Sequence, residues 1–271
     1  MTQILNGKKL AEKILNKLRK EIKKLPPIRL AVVLVGDNPA SLNFIKQKQK
    51  TAEEIGVQFK LYRFKKNIAE QTLVNKINEI VKNKSNTGIV VQLPLPKHIK
   101  EQKILNIIPC GKDVDALSVD NSFIEPPTAS GIMRILEEYN IKAGGENVVI
   151  VGKGKLVGGP LAIMMTKIGA NLIICDRKTE NLTSETLKAD ILVSATGQPH
   201  LIKENMVKRG VVIVDAGFSK VNNRLTGDVD FEEVKKKASY ITPVPGGVGP
   251  MTVAMLMSNL IKLAKKQHGI H

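Results

Sequence analysis

Lys48 stands four residues after Phe44, in a stretch that reads as a helix from Pro39 or Ala40 to about Ile55. That spacing puts amine and ring on one helix face. An amine drawn out of water beside an aromatic can exchange protons as a general acid or base. Lys46 and Lys50 are close by, so a solvated basic face is the plainer reading of the cluster. Gln92 lies at the carboxyl end of the apolar run Gly88 to Leu93, where open α/β sheets place their ligands; a glutamine on a sheet edge would explain it too. Lys112-Asp113-Val114-Asp115 brings two carboxylates into one loop. They could bind an amino-substituted ring or a metal, or cap a helix. Pro243 to Pro250 (PVPGGVGP) holds three prolines and three glycines in eight residues. Proline fixes φ and glycine leaves the backbone bare, so this is a stiff loop against which a flat ligand could lie. A simple helix-leading turn needs fewer such residues.

A second chemistry belongs to Asn147 to Pro160 (NVVIVGKGKLVGGP). Val148 to Val151 is short and β-branched, as a buried parallel strand is. Gly152, Gly154 and Gly158 follow, then a helical pattern from Leu161 to Ile168. Strand, glycine turn and helix are the setting of a dinucleotide-binding loop. Gly152 permits the tight turn, Gly154 lets a pyrophosphate approach the backbone, and helix N–H groups face its charge. The spacing G-x-G-x-x-x-G is one residue longer than the usual fingerprint, and an ordinary βα turn remains the alternative.

The elements that must position these residues alternate. Leu10, Ile14, Leu18 and Ile22 mark a surface helix over 7–24, ended by Pro26-Pro27. Ile28 to Val35 reads as a buried strand, and Gly56 as the stop of the Lys48 helix. Val57, Phe59 and Leu61 alternate as a strand, Leu73 to Val81 has helical spacing, and Gly88 to Leu93 is a third strand. Helix and strand in turn argue a parallel sheet. Residues 109–131, rich in Pro, Gly, Asp and Ser, break the rhythm and suggest a site loop and a domain boundary, with a connecting helix from Ile132 to Tyr139. Further strands are expected at 171–175, 190–195 and 211–215, and a last helix from Met251 to about Lys266. The fold class is α/β.

Composition narrows the function. Net charge is +17, yet aromatic residues are 3% and tryptophan is absent, which leaves few stacking platforms for single-stranded nucleic acid. The lysines are mostly mixed with glutamate along helical stretches, as solvated faces are. A basic cleft also draws small polyanions. No apolar run reaches the length of a membrane span, and the amino terminus lacks the apolar core of a signal peptide. Cys110 and Cys175 form no CxxC pair, which suits a reducing cytoplasm. His98, His200, His268 and His271 form no metal-ligand pattern, so no metal is expected.

Longer motifs carry a resemblance. VGDNPAS (35–41), VVQLPLP (90–96), GKDVDALS (111–118), LVGGP (156–160), GDVDFE (227–232) and YITPVPGGVGPMTVAML (240–256) occur together and in order. The chain resembles the bifunctional methylenetetrahydrofolate dehydrogenase/cyclohydrolase family over essentially its whole length. The resemblance implies a parallel-sheet catalytic domain over 1–126, completed by a C-terminal helix in 250–271, and a Rossmann-type NAD(P)-binding domain over 127–249. It implies oxidation of 5,10-methylenetetrahydrofolate with NADP, NAD being the other possibility, and hydrolysis of the methenyl product to 10-formyltetrahydrofolate. Lys48 matches the family's catalytic lysine, Gln92 its hydrogen-bonding partner, and Asp115 the carboxylate that holds the pterin. Phe44, Val91, Leu93, Pro245, Gly246, Gly249 and Thr252 match substrate-binding positions. Gly152, Lys153, Gly154, Arg177 and Phe218 match cofactor-binding ones. A cytoplasmic homodimer is the implied assembly, without nucleic acid or membrane.

The chain also departs from the family's pattern. Phe44 replaces a usual tyrosine, and Ala116 replaces the glycine of KDVDG. Pro126-Pro127-Thr128-Ala129-Ser130-Gly131 replaces Pro-Cys-Thr-Pro-x-Gly, and Asp176-Arg177-Lys178 follows the second nucleotide-domain strand where His-Ser-Lys or His-Arg is commoner.

Overall fold

The computed structural model describes residues 1–118, 123–221 and 224–270; His271 lies outside them. In chain order the elements are β1 (Gln3–Ile4), α1 (Gly7–Ile22), β2 (Arg29–Val35), α2 (Pro39–Ile55), β3 (Gln58–Phe64), α3 (Glu70–Lys82), β4 (Gly88–Val91) and α4 (Glu101–Leu105). Then come α5 (Pro127–Glu138), β5 (Asn147–Val151), α6 (Gly158–Lys167), β6 (Asn171–Cys175), α7 (Leu182–Thr186) and β7 (Ile191–Ser194). A 3₁₀ turn (Glu204–Met206), β8 (Val212–Asp215), β9 (Ser219–Val221), β10 (Arg224–Thr226), α8 (Phe231–Lys235), β11 (Tyr240–Ile241) and α9 (Val248–Gln267) complete it.

The chain forms two compact units. One comprises Lys13–Pro127 and Val253–His271, the other Met1–Glu12 and Thr128–Thr252. The sequence reading set residues 1–126 together, but Gln3 and Ile4 of β1 pair in parallel with Tyr240 and Ile241 of β11. Two residues carry too little apolar pattern to announce a strand; the partner 237 positions later makes them one.

The Lys13–Pro127 unit is built on a parallel sheet of order β3-β2-β4. Six of the seven β2 residues are buried, as a central strand covered on both faces requires. Leu18 and Ile22 of α1, Ile45 and Ile55 of α2, and Leu256, Leu260 and Leu263 of α9 share one buried cluster with Leu30, Val32 and Leu34 of β2. Each such side chain, fully buried, contributes about 1.5–3 kcal/mol, which is what seats the C-terminal helix in this unit. The start and stop of α2 follow from local chemistry. Asn38 Oδ1 accepts from the N–H groups of Ala40 and Ser41, Pro39 occupies the first turn, and Gly56 ends the helix at φ 91°.

The second unit has a six-stranded parallel sheet of order β1-β11-β8-β7-β5-β6. The order reverses at β5, whose neighbours are β6 and β7, so the crevice at its carboxyl end is the topological switch point. β9 and β10 add a small antiparallel ribbon that the sequence pattern does not announce. α5 begins at Pro127, five residues before the expected start at Ile132. The run of Pro, Thr and Ser reads as loop, yet proline is well suited to a first helical turn.

Candidate active site

In the unit that holds α2, the buried face of that helix is Ser41, Ile45, Lys48, Ala52 and Ile55. Lys48 is only 7% exposed, and Phe44, one turn earlier, is half-buried. Lys48 Nζ donates to Gln92 Oε1 at 3.1 Å. Gln92 follows β4 directly. Its backbone N–H donates to Val33 O at 2.9 Å and its side-chain Nε2 to Leu93 O at 2.9 Å. The glutamine therefore spends its donor on the backbone and turns its acceptor to the amine. Val91 is buried and Leu93 half-buried beside it, and Ser41 Oγ donates to Leu93 O at 3.4 Å.

The two carboxylates of KDVD divide the work. Ile89 N–H donates to Lys112 O at 2.7 Å, and Val114 N–H to Ile89 O at 3.3 Å, so the loop rides on β4. Asn259 of α9 pins it by donating to Val114 O at 3.0 Å and Glu125 O at 2.8 Å. Asp113 is buried and accepts from Ser118 N–H at 2.7 Å, which holds the turn. Asp115 is the carboxylate that feels Lys48. Burial pushes its carboxyl above the usual range, the Lys48 charge opposes this, and Asp113 adds to the rise. Lys112 donates to Val81 O at 2.8 Å and Asn83 O at 3.1 Å, and burial pushes its amine down. Ala116, where the family pattern has glycine, sits at φ 55°. An L-residue held there costs about 1–2 kcal/mol, and its methyl packs on the core cluster that includes Val114.

In the other unit, the glycine loop runs from β5 to α6. Gly152 has φ 99°, and a Cβ there would stand 2.6 Å from Ala195 O. A Cβ on Gly158 would lie 1.8 Å from Gly152 O, so the helix can meet the turn this closely only through glycine. At Gly154 nothing lies within 4 Å of that position, which leaves the backbone open to a ligand. Two close-packed glycines and one open one fit a dinucleotide pyrophosphate at the amino end of α6. Lys153 Nζ lies 2.7 Å from Asp176 Oδ2 just past β6. That hydrogen bond, with one from Lys178 N–H, pulls the Asp176 carboxyl below the usual range. Arg177 is exposed beside it.

The proline-glycine loop belongs to this same unit. Gly246 has φ 109°, and its carbonyl accepts from Lys8 N–H at 2.8 Å. Pro245 and Gly249 are exposed. α9 starts at Val248, three residues before the expected Met251, and Thr252 Oγ1 donates to Thr128 Oγ1 at 3.1 Å.

Two family models cover nearly all of the chain. The catalytic domain of tetrahydrofolate dehydrogenase/cyclohydrolase matches residues 5–115, and its NAD(P)-binding domain matches residues 126–268. The chain belongs to the tetrahydrofolate dehydrogenase/cyclohydrolase family. It is 46% identical over 276 residues to the bifunctional protein FolD of Hydrogenobaculum sp., covering 97% of this chain and 99% of that one. The FolD protein of Lactobacillus acidophilus is 43% identical over 281 residues, covering 99% of each. Among solved structures, the Campylobacter jejuni FolD dehydrogenase/cyclohydrolase superposes with a TM-score of 0.94 at 42% identity, over 98% of this chain and 100% of that one. The Trypanosoma brucei dehydrogenase-cyclohydrolase, solved with NADP and an inhibitor, gives 0.93 at 31% identity over 98% of each chain. The two α/β domains with parallel sheets and the NAD(P)-binding class of the second unit, read from family motifs, stand on these matches.

Sequence reasoning about this family member passed over Asp215 and Asp228. Asp215 ends β8 and is 3% exposed; Asp228 is 0% exposed. The available signal was a carboxylate closing the apolar run VVIVD and the family motif GDVDFE, to which no role was given. Burial pushes the Asp215 carboxyl up to about 7, against the N–H groups of Val229, Asp228 and Gly217, while the Asp228 charge adds to the rise. A carboxyl whose folded value lies above its unfolded 3.8 keeps its proton longer in the native state. Its contribution to stability is complete below about pH 4 and is lost as pH rises through about 7. Denaturant titrations of Asp215→Asn between pH 4 and 8 are therefore expected to lack a downward limb that the parent chain shows; an identical limb in both overturns the assignment.

Proposed function

We propose that this chain oxidises 5,10-methylenetetrahydrofolate to the 5,10-methenyl form with NADP, then hydrolyses that product to 10-formyltetrahydrofolate. The observation that carries the reading is the Lys48–Gln92 hydrogen bond, made by a buried amine whose charge is felt by Asp115, in a chain nearly all of which is matched by the family.

Asp115 would hold the amino-substituted edge of the pterin, and Val91, Leu93 and Phe44 would supply contact area to its rings. In the other unit Pro245, Gly246, Gly249 and Thr252 would form a stiff surface against which a flat ligand could lie. A nicotinamide dinucleotide held at Gly152, Lys153, Gly154 and Arg177 would supply the hydride acceptor for the methylene carbon. What the chain does for that step is to hold the reacting groups in place, with Gly152, Gly154 and Gly158 admitting the pyrophosphate and Phe218 bounding the site. In the hydrolysis, water adds to the methenyl carbon as Lys48 takes one of its protons; the hydroxyl then loses its remaining proton to form the formyl carbonyl as the carbon–nitrogen bond to one ring nitrogen breaks and that nitrogen is protonated. Gln92 keeps the amine in line. Cys110 and Cys175 are unpaired, which supports a reducing, cytoplasmic setting. Among the described residues no helix is long and apolar enough to cross a membrane.

Four outcomes test this. An absorbance assay on methenyltetrahydrofolate should show Lys48→Met slower by about 10²–10⁴-fold; an unaltered rate would remove Lys48 from the chemistry.

The same assay addresses Phe44. The ring keeps its stacking face but lacks a hydroxyl that could order the attacking water near Lys48. A hydrogen bond of that kind is worth about 0.5–1.5 kcal/mol, or about 1.5–3 with a charged partner, hence several-fold to about a hundredfold in rate. Phe44→Tyr is expected to raise hydrolysis relative to oxidation. A ratio that stays level or falls makes phenylalanine a neutral replacement.

Cofactor choice follows from the residues past β6. Lys153 already neutralises Asp176, which leaves exposed Arg177 to grip a 2′-phosphate. A higher kcat/KM with NADP than with NAD is expected, and equal or better values with NAD reverse it.

A homodimer is proposed from the apolar outer surface of this unit. Ile163 and Ile168 near α6 and Ile174 on edge strand β6 are 61%, 45% and 45% exposed, and exposed apolar side chains by an unpaired sheet edge are where a partner can pack. Sedimentation at micromolar concentration should show twice the monomer mass; monomer alone counts against it.

A further inference from the structure

Asp215 and Asp228 interlock with two glycines. A Cβ on Gly217 would fall 2.0 Å from Asp228 Cγ and Oδ1, and one on Gly227 would fall 2.0 Å from Asp215 Oδ2. Each carboxylate thus occupies the side-chain space of the glycine next to the other. Asp215 is braced from its own side, because its Oδ1 accepts from Gly217 N–H at 2.9 Å and Asp228 N–H at 3.1 Å, and its Oδ2 from Val229 N–H at 2.9 Å. Asp228 spends Oδ2 elsewhere. That oxygen accepts from Ser194 Oγ at 2.8 Å, Thr196 N–H at 2.7 Å and Thr196 Oγ1 at 2.9 Å. Its other oxygen is buried with no hydrogen-bond partner among the described residues. A fully buried carboxylate that gives three donors to one oxygen and none to the second is costly to keep for packing alone.

The turn it holds is well placed. Ser194 ends β7, the strand next to β5 at the switch point, and Ala195 N–H donates to Val151 O at 2.8 Å. Ala195 O is also the atom against which Gly152 is packed. The Ser194–Gly197 turn is therefore the opposite wall of the crevice that the glycine loop opens. Phe218 O lies 3.6 Å from the Cβ position of Gly197, which joins the loop after β8 to the same wall.

We infer that Asp228 is a positioning residue for the dinucleotide: seated over Gly217 and braced through Asp215, its carboxylate sets the Ser194–Gly197 turn against which the cofactor lies. This rests on the reading that the unit binds NADP. The test uses the full-length protein and titrates NADP calorimetrically, alongside steady-state oxidation and methenyltetrahydrofolate hydrolysis, which uses no dinucleotide. Asp228→Asn keeps the shape but replaces an acceptor by a donor. It is expected to weaken NADP binding and raise its KM by about tenfold or more, with the folate KM and the hydrolysis rate within about twofold. Thr196→Val should reproduce the NADP defect in milder form, and Thr196→Ser, which restores the hydroxyl, should recover it. Unchanged NADP affinity in both Asp228→Asn and Thr196→Val overturns the inference. So does a loss of oxidation and hydrolysis in equal measure, or a Thr196→Ser as impaired as Thr196→Val. A parent chain that takes up no dinucleotide defeats the NADP reading itself and this inference with it.

Discussion

A lysine amine taken out of water must be met by acceptors, and the unit around Lys48 is arranged to meet that demand. Lys48 is on the inner face of α2 because the helix also has to bury Ile45, Ala52 and Ile55 against β2. The strand next to β2 on that side ends at Val91, which brings Gln92 to the amine. Gln92 can offer its oxygen because Leu93 O accepts from its nitrogen. Asp115 comes to the same place because its loop is hydrogen-bonded to Ile89 on one side and pinned by Asn259 of α9 on the other. Shift the register of β4 by one residue and Gln92 would face the other side of the sheet. Helix packing, sheet register and the C-terminal helix therefore all converge on one buried polar contact.

The nucleotide-binding unit depends instead on close approach of backbone to backbone. Gly152 and Gly158 allow strand, turn and helix to pack with carbonyl contacts that no side chain could tolerate. Gly217 and Gly227 do the same for the two aspartates behind the next wall. The difference between these glycines and Gly154 is informative, since the Cβ position of Gly154 meets no atom within 4 Å and that face stays open. Glycine in one motif thus serves two ends, intimate packing and ligand access, and coordinates separate them where a spacing rule does not.

Charge on this protein follows the same division. Its net charge of +17 is carried largely by exposed lysines, on helices and in loops alike, and most of its ion pairs, such as Lys76–Glu79 and Lys236–Glu233, are exposed and energetically minor. Among the described residues the buried acidic and basic side chains are Lys48 and Asp113 in one unit and Asp215 and Asp228 in the other. Buried polar groups are expensive and need a complete set of partners. Each of these sites is accordingly a meeting point of several chain segments.

The sequence by itself determined the regular elements around both sites and the class of fold. Asn38 and Gly56 mark the limits of α2, with Pro39 at its first turn, through bonds to residues two to four positions away. Periods of apolar residues tell helix from strand, and the glycine spacing announces a βα turn, because these signals are local. The family resemblance implies roles for Lys48, Gln92 and Asp115 that the residue pattern alone leaves open. Tertiary structure decided what local spacing does not encode. It set Asp115 where the charge of Lys48 reaches it, joined Lys48 to a glutamine 44 residues away, and moved the first strand into the second unit by pairing it with β11. It also made two aspartates, to which local spacing assigns no role, into an interlocked pair. The physical reason is common to all four. Which polar group a buried atom meets depends on packing between distant segments, and that geometry exists only once the sheets have formed.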